Sequence, residues 1–549
     1  MKNAPIARPE ERGRQERTSV RDLARVTRTQ LEDILQRSFK TVAEHLTSQT
    51  LNNPDNVAII DGGKRLTFRE FNHRVSGVAR QLEKRGVGRG SRVLLMVKPG
   101  INMLIDVFAL FRIAAIPIIL DSGMSLRSFL TCVERSRPDF VRVGWKGYLL
   151  SLFFKCKRLF FIRKQEGEMA DVAVDPDDLA AILFTSGSTG IPKGVCYRYR
   201  HFEAQLQKIR QHYGVEPGEI DLPLLPVFAL FDPALGMTTV IPDMDFRRPS
   251  SLDPRKIVAA IQENAVTHTF GSPTLWRKIA DFCEAKEVQL PTLRRILMAG
   301  CSVPFDLLEQ MQGIAPNAKI HTPYGATECL PIVSIDARSL ANTAALTRQG
   351  RGTCVGRPLP GIDLRIIRIA DTELTHIEAL PTGEIGEIAV SGDVVTDAYD
   401  GLPESTTLAK IVVDGICWHR MGDLGYLDNA GRLWFCGRKA ERVVTPYKTF
   451  FTDCCEAIFN QHADVARSAL IGLGHFGAQV PAIVIEPKED VEVNYPYMQK
   501  RFLEKIRCVG KAHSLTRDIE LFFICKHFPV DIRHNAKINR TELKKLYEH

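Results

Sequence analysis

Nothing in this chain pairs cysteines at zinc-ligand spacing. The 13 cysteines of its 549 residues are scattered, with Cys454-Cys455 the one adjacent couple. That excludes zinc modules and disulfide frameworks and points to a reduced, cytoplasmic protein. Excess charge is scarce too. A net charge of +9 is modest at this length, so composition gives no argument for nucleic acid as a partner. No clean membrane span is present: the longest apolar stretch, 101–120, contains Asp106 and Arg112. It reads as a buried helix and strand broken near Pro117. Residues 1–40 are polar and arginine-rich, without the apolar core of a signal peptide, and are expected to be a flexible basic extension. No internal repeat is visible.

What is present is a chain that is 44% hydrophobic, enough for at least two cored domains. From Thr41 to Phe184, strand and helix signals alternate, which predicts a mostly parallel sheet with helices on its faces. An amphipathic helix is expected over 41–51 and a hairpin at Asp61-Gly62-Gly63-Lys64. Residues 141–164 interleave aromatics and leucines with lysines and arginines and hold no acid. They read either as core plus solvated charge or as a peripheral membrane contact.

The chemistry starts where the apolar strand 180–184 stops at Thr185-Ser186-Gly187-Ser188-Thr189-Gly190, with Lys193 just beyond. Glycines let backbone N–H groups approach an anion, and hydroxyls donate further hydrogen bonds. A lysine ~4 Å from a phosphate oxygen contributes roughly 4 kcal/mol at an effective dielectric of 20. This is a polyphosphate cradle without the Gly-Lys-Ser/Thr order of a Walker loop.

The loop resembles that of the adenylate-forming enzymes: acyl-CoA synthetases, luciferases and peptide-synthetase adenylation domains. Further strings carry the same resemblance. Tyr324-Gly325-Ala326-Thr327-Glu328 is similar to the aromatic-Gly-x-Thr-Glu motif. Gly300-Cys301-Ser302 resembles the adenine-lining turn. Met421-Gly422-Asp423 and Gly437-Arg438 resemble the ribose-binding pair, and the lysine of Asn535-Ala536-Lys537 resembles the one that reaches back into the active site.

The resemblance implies an α/β fold with an α+β C-terminal part. A large N-terminal domain, 41–437, would be followed by a small mobile lid, 438–549. It also implies ATP and Mg²⁺ as cofactors. Thr185–Gly190 and Lys193 would hold the phosphates, Tyr324 and Gly325 the base, and Asp423 and Arg438 the ribose. Thr327 and Glu328 would act on phosphate and metal, and Lys537 on the charge that develops during adenylation.

Longer strings narrow the likeness. Phe228-Ala229-Leu230-Phe231-Asp232-Pro233-Ala234-Leu235-Gly236-Met237 and Phe528-Pro529-Val530-Asp531-Ile532-Arg533-His534-Asn535-Ala536-Lys537 resemble the β-lactone synthetases of long-chain olefin biosynthesis. That branch activates a long-chain 2-alkyl-3-hydroxy acid, whose own hydroxyl then displaces AMP. The partners implied are a thiolase-like condensing enzyme, a reductase and a β-lactone decarboxylase. The resemblance places the acid at Phe228, Phe231, Phe270, Gly271 and Ser272. His201, His268 and His419 are candidate bases for the hydroxyl, with His268, just before that turn, preferred. Thioester-forming relatives carry Asp or Lys at the hinge and a glycine-bearing thiol tunnel. Here Ala440 and the bulky stretch 442–451 stand in those places. A fatty acyl-CoA or acyl-AMP ligase is the alternative activity, and a silent nucleotide-binding protein the alternative class.

Overall fold

The computed structural model describes residues 39–120, 123–144, 147–159, 168–184, 192–226, 228–530 and 537–548. Thr185, Ser186, Gly187, Ser188, Thr189 and Gly190, and the extension up to residue 38, lie outside the described residues. The chain is α/β, with two large sheets and a smaller sheet near its C-terminal end.

Local chemistry sets the first elements. Thr41 accepts from the Glu44 N–H, and Glu44 accepts in return from the Thr41 N–H at 2.7 Å, a capping box that starts the helix Val42–Asn52. Thr67 and Glu70 repeat the device at Phe68–Lys84. Asp61 pairs with Lys64 across the expected hairpin.

The stretch 101–120 breaks earlier than the sequence suggests. The helix Ile101–Arg112 ends before Ala114, whose φ is 53°, and Pro117 lies inside the strand Ile116–Ile119. Its two charges are buried and matched. Asp106 meets Arg142 at 2.9 Å, and burial raises its pKa to about 6. Arg112, fully buried, bonds Asp171, Ser76 and Asn72 at 2.7, 2.6 and 2.7 Å. Buried charges persist where partners of this kind satisfy them. Among the described residues no helix is long and apolar enough to cross a membrane.

One sheet has six strands, all parallel except the last pair, Leu179–Phe184 with Gly194–Arg198. The larger sheet runs parallel from Val57–Asp61 through Thr238–Ile241, Ile220–Asp221, His268–Gly271 and Arg295–Met298 to Lys319–Ala326. It then turns antiparallel through Cys329–Asp336 and Thr353–Pro358 to Leu433–Arg438 and Ile416–Leu427. The helices Val42–Asn52, Phe68–Lys84, Ile101–Arg112 and Tyr199–Tyr213 share one buried core around Leu46, Phe71, Phe108 and Phe202.

Beyond Arg438 a separate core forms from Val443, Phe459, Leu470, Ile483, Ile506 and Phe522, over the three-stranded sheet Val465–Leu473, Val480–Pro487 and Leu521–Ile524. Contacts tie this part to the rest: Lys439 to buried Glu387 at 2.8 Å, Arg442 to Asp371 at 2.5 Å and Thr353 to Asp453 at 2.6 Å.

Candidate active site

The antiparallel pair Lys319–Ala326 and Cys329–Asp336 closes with Ala326 opposite Cys329. Thr327 and Glu328 are therefore the two turn residues, carried to the end of the sheet. Gly325 is required by the crowding behind the turn, since a Cβ there would lie 2.7 Å from the Cys329 carbonyl oxygen. The turn is pinned by its backbone. The Thr327 carbonyl accepts from the Tyr197 hydroxyl, and the Glu328 carbonyl accepts from the Thr396 N–H and hydroxyl at 2.9 and 3.0 Å.

The Glu328 side chain takes no part in those backbone bonds. Its Oε1 accepts from the Tyr399 hydroxyl at 2.6 Å, and Lys193 Nζ stands 4.9 Å from the centroid of the same Tyr399 ring. One aromatic side chain thus touches both Lys193 and the acid of the turn. Glu328 offers a hard oxygen of the kind Mg²⁺ takes. That ion is held by one or two carboxylates together with substrate phosphates and water rather than by a protein cage.

Asp423 and Arg438 face each other across the strands Ile416–Leu427 and Leu433–Arg438. Their ion pair measures 2.9 Å, and Asp423 Oδ2 accepts from the Tyr324 hydroxyl at 2.7 Å. Burial raises the Asp423 pKa, while Arg438, the Tyr324 bond and Lys537 oppose that rise. Asp423 Oδ1, buried, has no aligned hydrogen-bond donor, leaving an acceptor open to a ligand hydroxyl. Cys301 follows Gly300, whose φ is 102°. Burial pushes its thiol up to about 11, and the charge of Lys537 opposes the shift. Lys537 therefore acts on both the Gly300-Cys301-Ser302 turn and Asp423.

These groups line a single cavity of about 1580 Å³. Phe228, Phe231 and Phe270 form its apolar wall, with Phe228 stacked on Phe270 at 3.7 Å between centroids. Gly271 and Ser272 pack behind that wall. A Cβ on Gly271 would lie 2.9 Å from Leu224 and Trp276, and Ser272 is 1% exposed.

The three histidines separate. His201 is fully buried and accepts from the Arg198 N–H at 3.0 Å, a local structural bond. His419 lines the cavity beside the Ala409 carbonyl, 3.2 Å from Nδ1. His268 also lines the cavity, but its charged neighbours are Arg295, Asp232 and Glu219.

Sequence reasoning missed Tyr399, Tyr197 and Thr396, which carry no motif of their own. It also passed over Asp221 and Asp232, whose signal was visible: each is a carboxylate embedded in an apolar run.

A family model described as AMP-binding enzyme matches residues 46–400. The olefin beta-lactone synthetase of Stenotrophomonas maltophilia is 39% identical over 91% of this chain and 97% of its own length. That of Xanthomonas campestris pv. campestris is 39% identical over 91% and 96%. In fold, the chain is similar to the O-succinylbenzoate coenzyme A synthetase of Bacillus subtilis solved with ATP and magnesium ion. That likeness has a TM-score of 0.74 at 22% identity over 91% of this chain and 99% of that one. Matched over most of its length, with the nucleotide-site motifs in order, the chain belongs to the AMP-binding enzyme family.

Proposed function

We propose that the protein uses ATP to convert a long-chain 2-alkyl-3-hydroxy acid into its acyl-adenylate, and that the acid's own 3-hydroxyl then expels AMP to close a β-lactone. The observation that carries this reading is one cavity lined at once by Glu328, Asp423, Arg438 and Lys537 and by the apolar wall of Phe228, Phe231 and Phe270. The 39% identity to olefin beta-lactone synthetases supports the second step.

Each residue has one task in this account. Asp423 and Arg438 hold the ribose, Tyr324 and the Gly300-Cys301-Ser302 turn flank the base, and Thr327 and Lys193 meet phosphate oxygens. Thr185, Ser186, Gly187, Ser188, Thr189 and Gly190 complete the phosphate cradle. Glu328 would hold Mg²⁺, which neutralises phosphate charge when bound. Lys537 stabilises the charge that gathers as the carboxylate attacks the α-phosphate, a preorganised contribution of a few kcal/mol. Residues 41–437 form the body and 438–549 the lid that delivers Lys537.

The lactone step needs no second substrate. A tethered nucleophile reaches effective molarities of ~10⁵–10⁸ M when well oriented. The stretch 442–451, with Pro446, Tyr447 and the buried Phe450, is bulky where thioester-forming relatives pass a thiol arm.

The acid and its product connect the protein to a thiolase-like condensing enzyme, a reductase and a β-lactone decarboxylase. A membrane contact is supported by Leu149, Leu152 and Phe153, exposed at 74%, 48% and 81% beside exposed Lys155 and Lys157. Apolar and basic side chains together suit an anionic lipid surface.

Incubation with ATP, Mg²⁺ and a 2-alkyl-3-hydroxy acid, without coenzyme A, tests the reading. Lactone, AMP and pyrophosphate in equal amounts are expected. Turnover that requires coenzyme A would instead make the protein an acyl-CoA ligase.

A further inference from the structure

Away from the nucleotide motifs the cavity wall carries a second polar cluster. Asp221, Asp232 and His268 all line the cavity and are 1%, 3% and 5% exposed. His268 Nδ1 lies 3.2 Å from Asp221 Oδ1, yet out of hydrogen-bonding direction. Neither of those atoms nor His268 Nε2 has a hydrogen-bond partner. Asp232 is anchored from behind, its Oδ2 accepting from the Thr239 hydroxyl at 2.9 Å, and its carboxyl hydrogen-bonds that of Asp221.

The cluster is set by register. Asp221 pairs with both His268 and Thr239 in adjacent parallel strands. His268 and Phe270, two residues apart, share one face of their strand. The imidazole therefore stands about 7 Å along the strand from the phenylalanine that stacks on Phe228.

Unpaired buried polar atoms of this kind cost roughly 1–3 kcal/mol each, and here they face a cavity built for an acid. Burial raises the pKa of Asp221 to about 8 and lifts that of Asp232 well above the carboxylate range. Burial, with Arg295 nearby, lowers His268 to about 4. Arg295 is itself paired to Glu219 at 2.5 Å. At neutral pH the cluster thus presents a neutral imidazole that accepts and a carboxylic acid that donates. A hydroxyl group, which is both donor and acceptor, matches that pair.

We propose that His268, backed by the Asp221–Asp232 carboxyl pair, holds the hydroxyl of the acid substrate and takes its proton as the lactone closes. The inference rests on the lactone reading above. As the hydroxyl oxygen bonds to the acyl carbon, its O–H bond breaks and the proton passes to His268 Nε2. The bond from the acyl carbon to the AMP oxygen breaks, and its electron pair leaves with AMP. His268 touches the reacting hydroxyl; Asp221 and Asp232 are positioning residues.

Full-length wild type, Asp232→Asn and His268→Gln are compared by ATP–pyrophosphate exchange and by lactone yield. The acids are a 2-alkyl-3-hydroxy acid and the same acid lacking the hydroxyl. Wild type is expected to favour the hydroxy acid in exchange by ~10–100-fold, the worth of one or two buried hydrogen bonds. Both variants should bind ATP and melt as wild type does, which checks folding. They should lose the preference, accumulate acyl-adenylate and make about 100-fold less lactone or worse. A retained preference, lactone at the wild-type rate, or a parallel fall in exchange with the deoxy acid would each overturn the proposal. A wild type that favours the hydroxy acid through these residues yet makes no lactone would leave the hydroxyl-holding site standing and sink the lactone reading instead.

Discussion

The two polar clusters on the cavity wall are built on opposite plans. Around Asp423 and Glu328 the side chains are paired before any ligand arrives: Arg438 and Tyr324 on Asp423, Tyr399 on Glu328. Around His268 three buried polar atoms, Asp221 Oδ1 and both imidazole nitrogens, have no hydrogen bond, against one, Oδ1, on Asp423. The first arrangement suits a ligand whose charges are always the same, because preorganised dipoles and ions need no rearrangement. The second leaves its capacity open for one group of the acid. In the proposed reading the first cluster serves the nucleotide and the second the acid.

The contrast can be broken most severely at Lys537. Lys537→Ala is expected to leave ATP binding within about twofold while slowing pyrophosphate release ~10²–10³-fold, the cost of one preorganised donor. Retained release would remove that residue from the chemistry. Asp423→Ala should act on binding instead, raising the KM for ATP by ~10–100-fold, as loss of charge-assisted bonds to two hydroxyls predicts. An unchanged KM would mean the Asp423–Arg438 pair is only structural.

Tyr399→Phe sharpens the picture further. It keeps the ring beneath Lys193 and removes the bond to Glu328, so half-saturation by Mg²⁺ should rise about fivefold, equivalent to ~1 kcal/mol, with KM for ATP little altered at high Mg²⁺. The smallest effect belongs to the acid end and to pH. Asp221 has a folded pKa of about 8, above its unfolded value. Its contribution to stability is present below the unfolded value and lost as pH rises through 8. Asp221→Asn removes that titration. Its melting temperature, relative to wild type, should therefore improve by a few degrees between pH 5 and 9. A constant difference would contradict the raised carboxyl.

The same contrast explains what the sequence made legible. Thr327, Glu328, Asp423, Arg438 and Lys537 belong to ordered strings that resemble the family's motifs, so the resemblance could name them. The α/β architecture followed from the alternating strand and helix signals; the capping boxes at Thr41 and Thr67, which start two helices, are seen only in the structure. Tyr399 and Thr396 could not be found that way. They reach Glu328 from about 70 residues downstream, through tertiary contacts that leave no local pattern. His268 was legible as a candidate only by its place before a turn. Its dependence on Asp221 and Asp232 comes from pairing between parallel strands, which sequence distance conceals. Gly271 and Ser272 are pocket residues only by the family resemblance; in the structure they pack behind the cavity wall, and the glycine is needed for packing against Trp276.

The central claim is that a carboxyl group is loaded with AMP and then released by an alcohol on the same molecule. It is tested most directly with an acid carrying ¹⁸O in both carboxyl oxygens and none in its 3-hydroxyl. The account predicts one ¹⁸O in the AMP, one in the lactone carbonyl and an unlabelled ring oxygen. Unlabelled AMP, or a lactone whose ring oxygen carries the label, would contradict it.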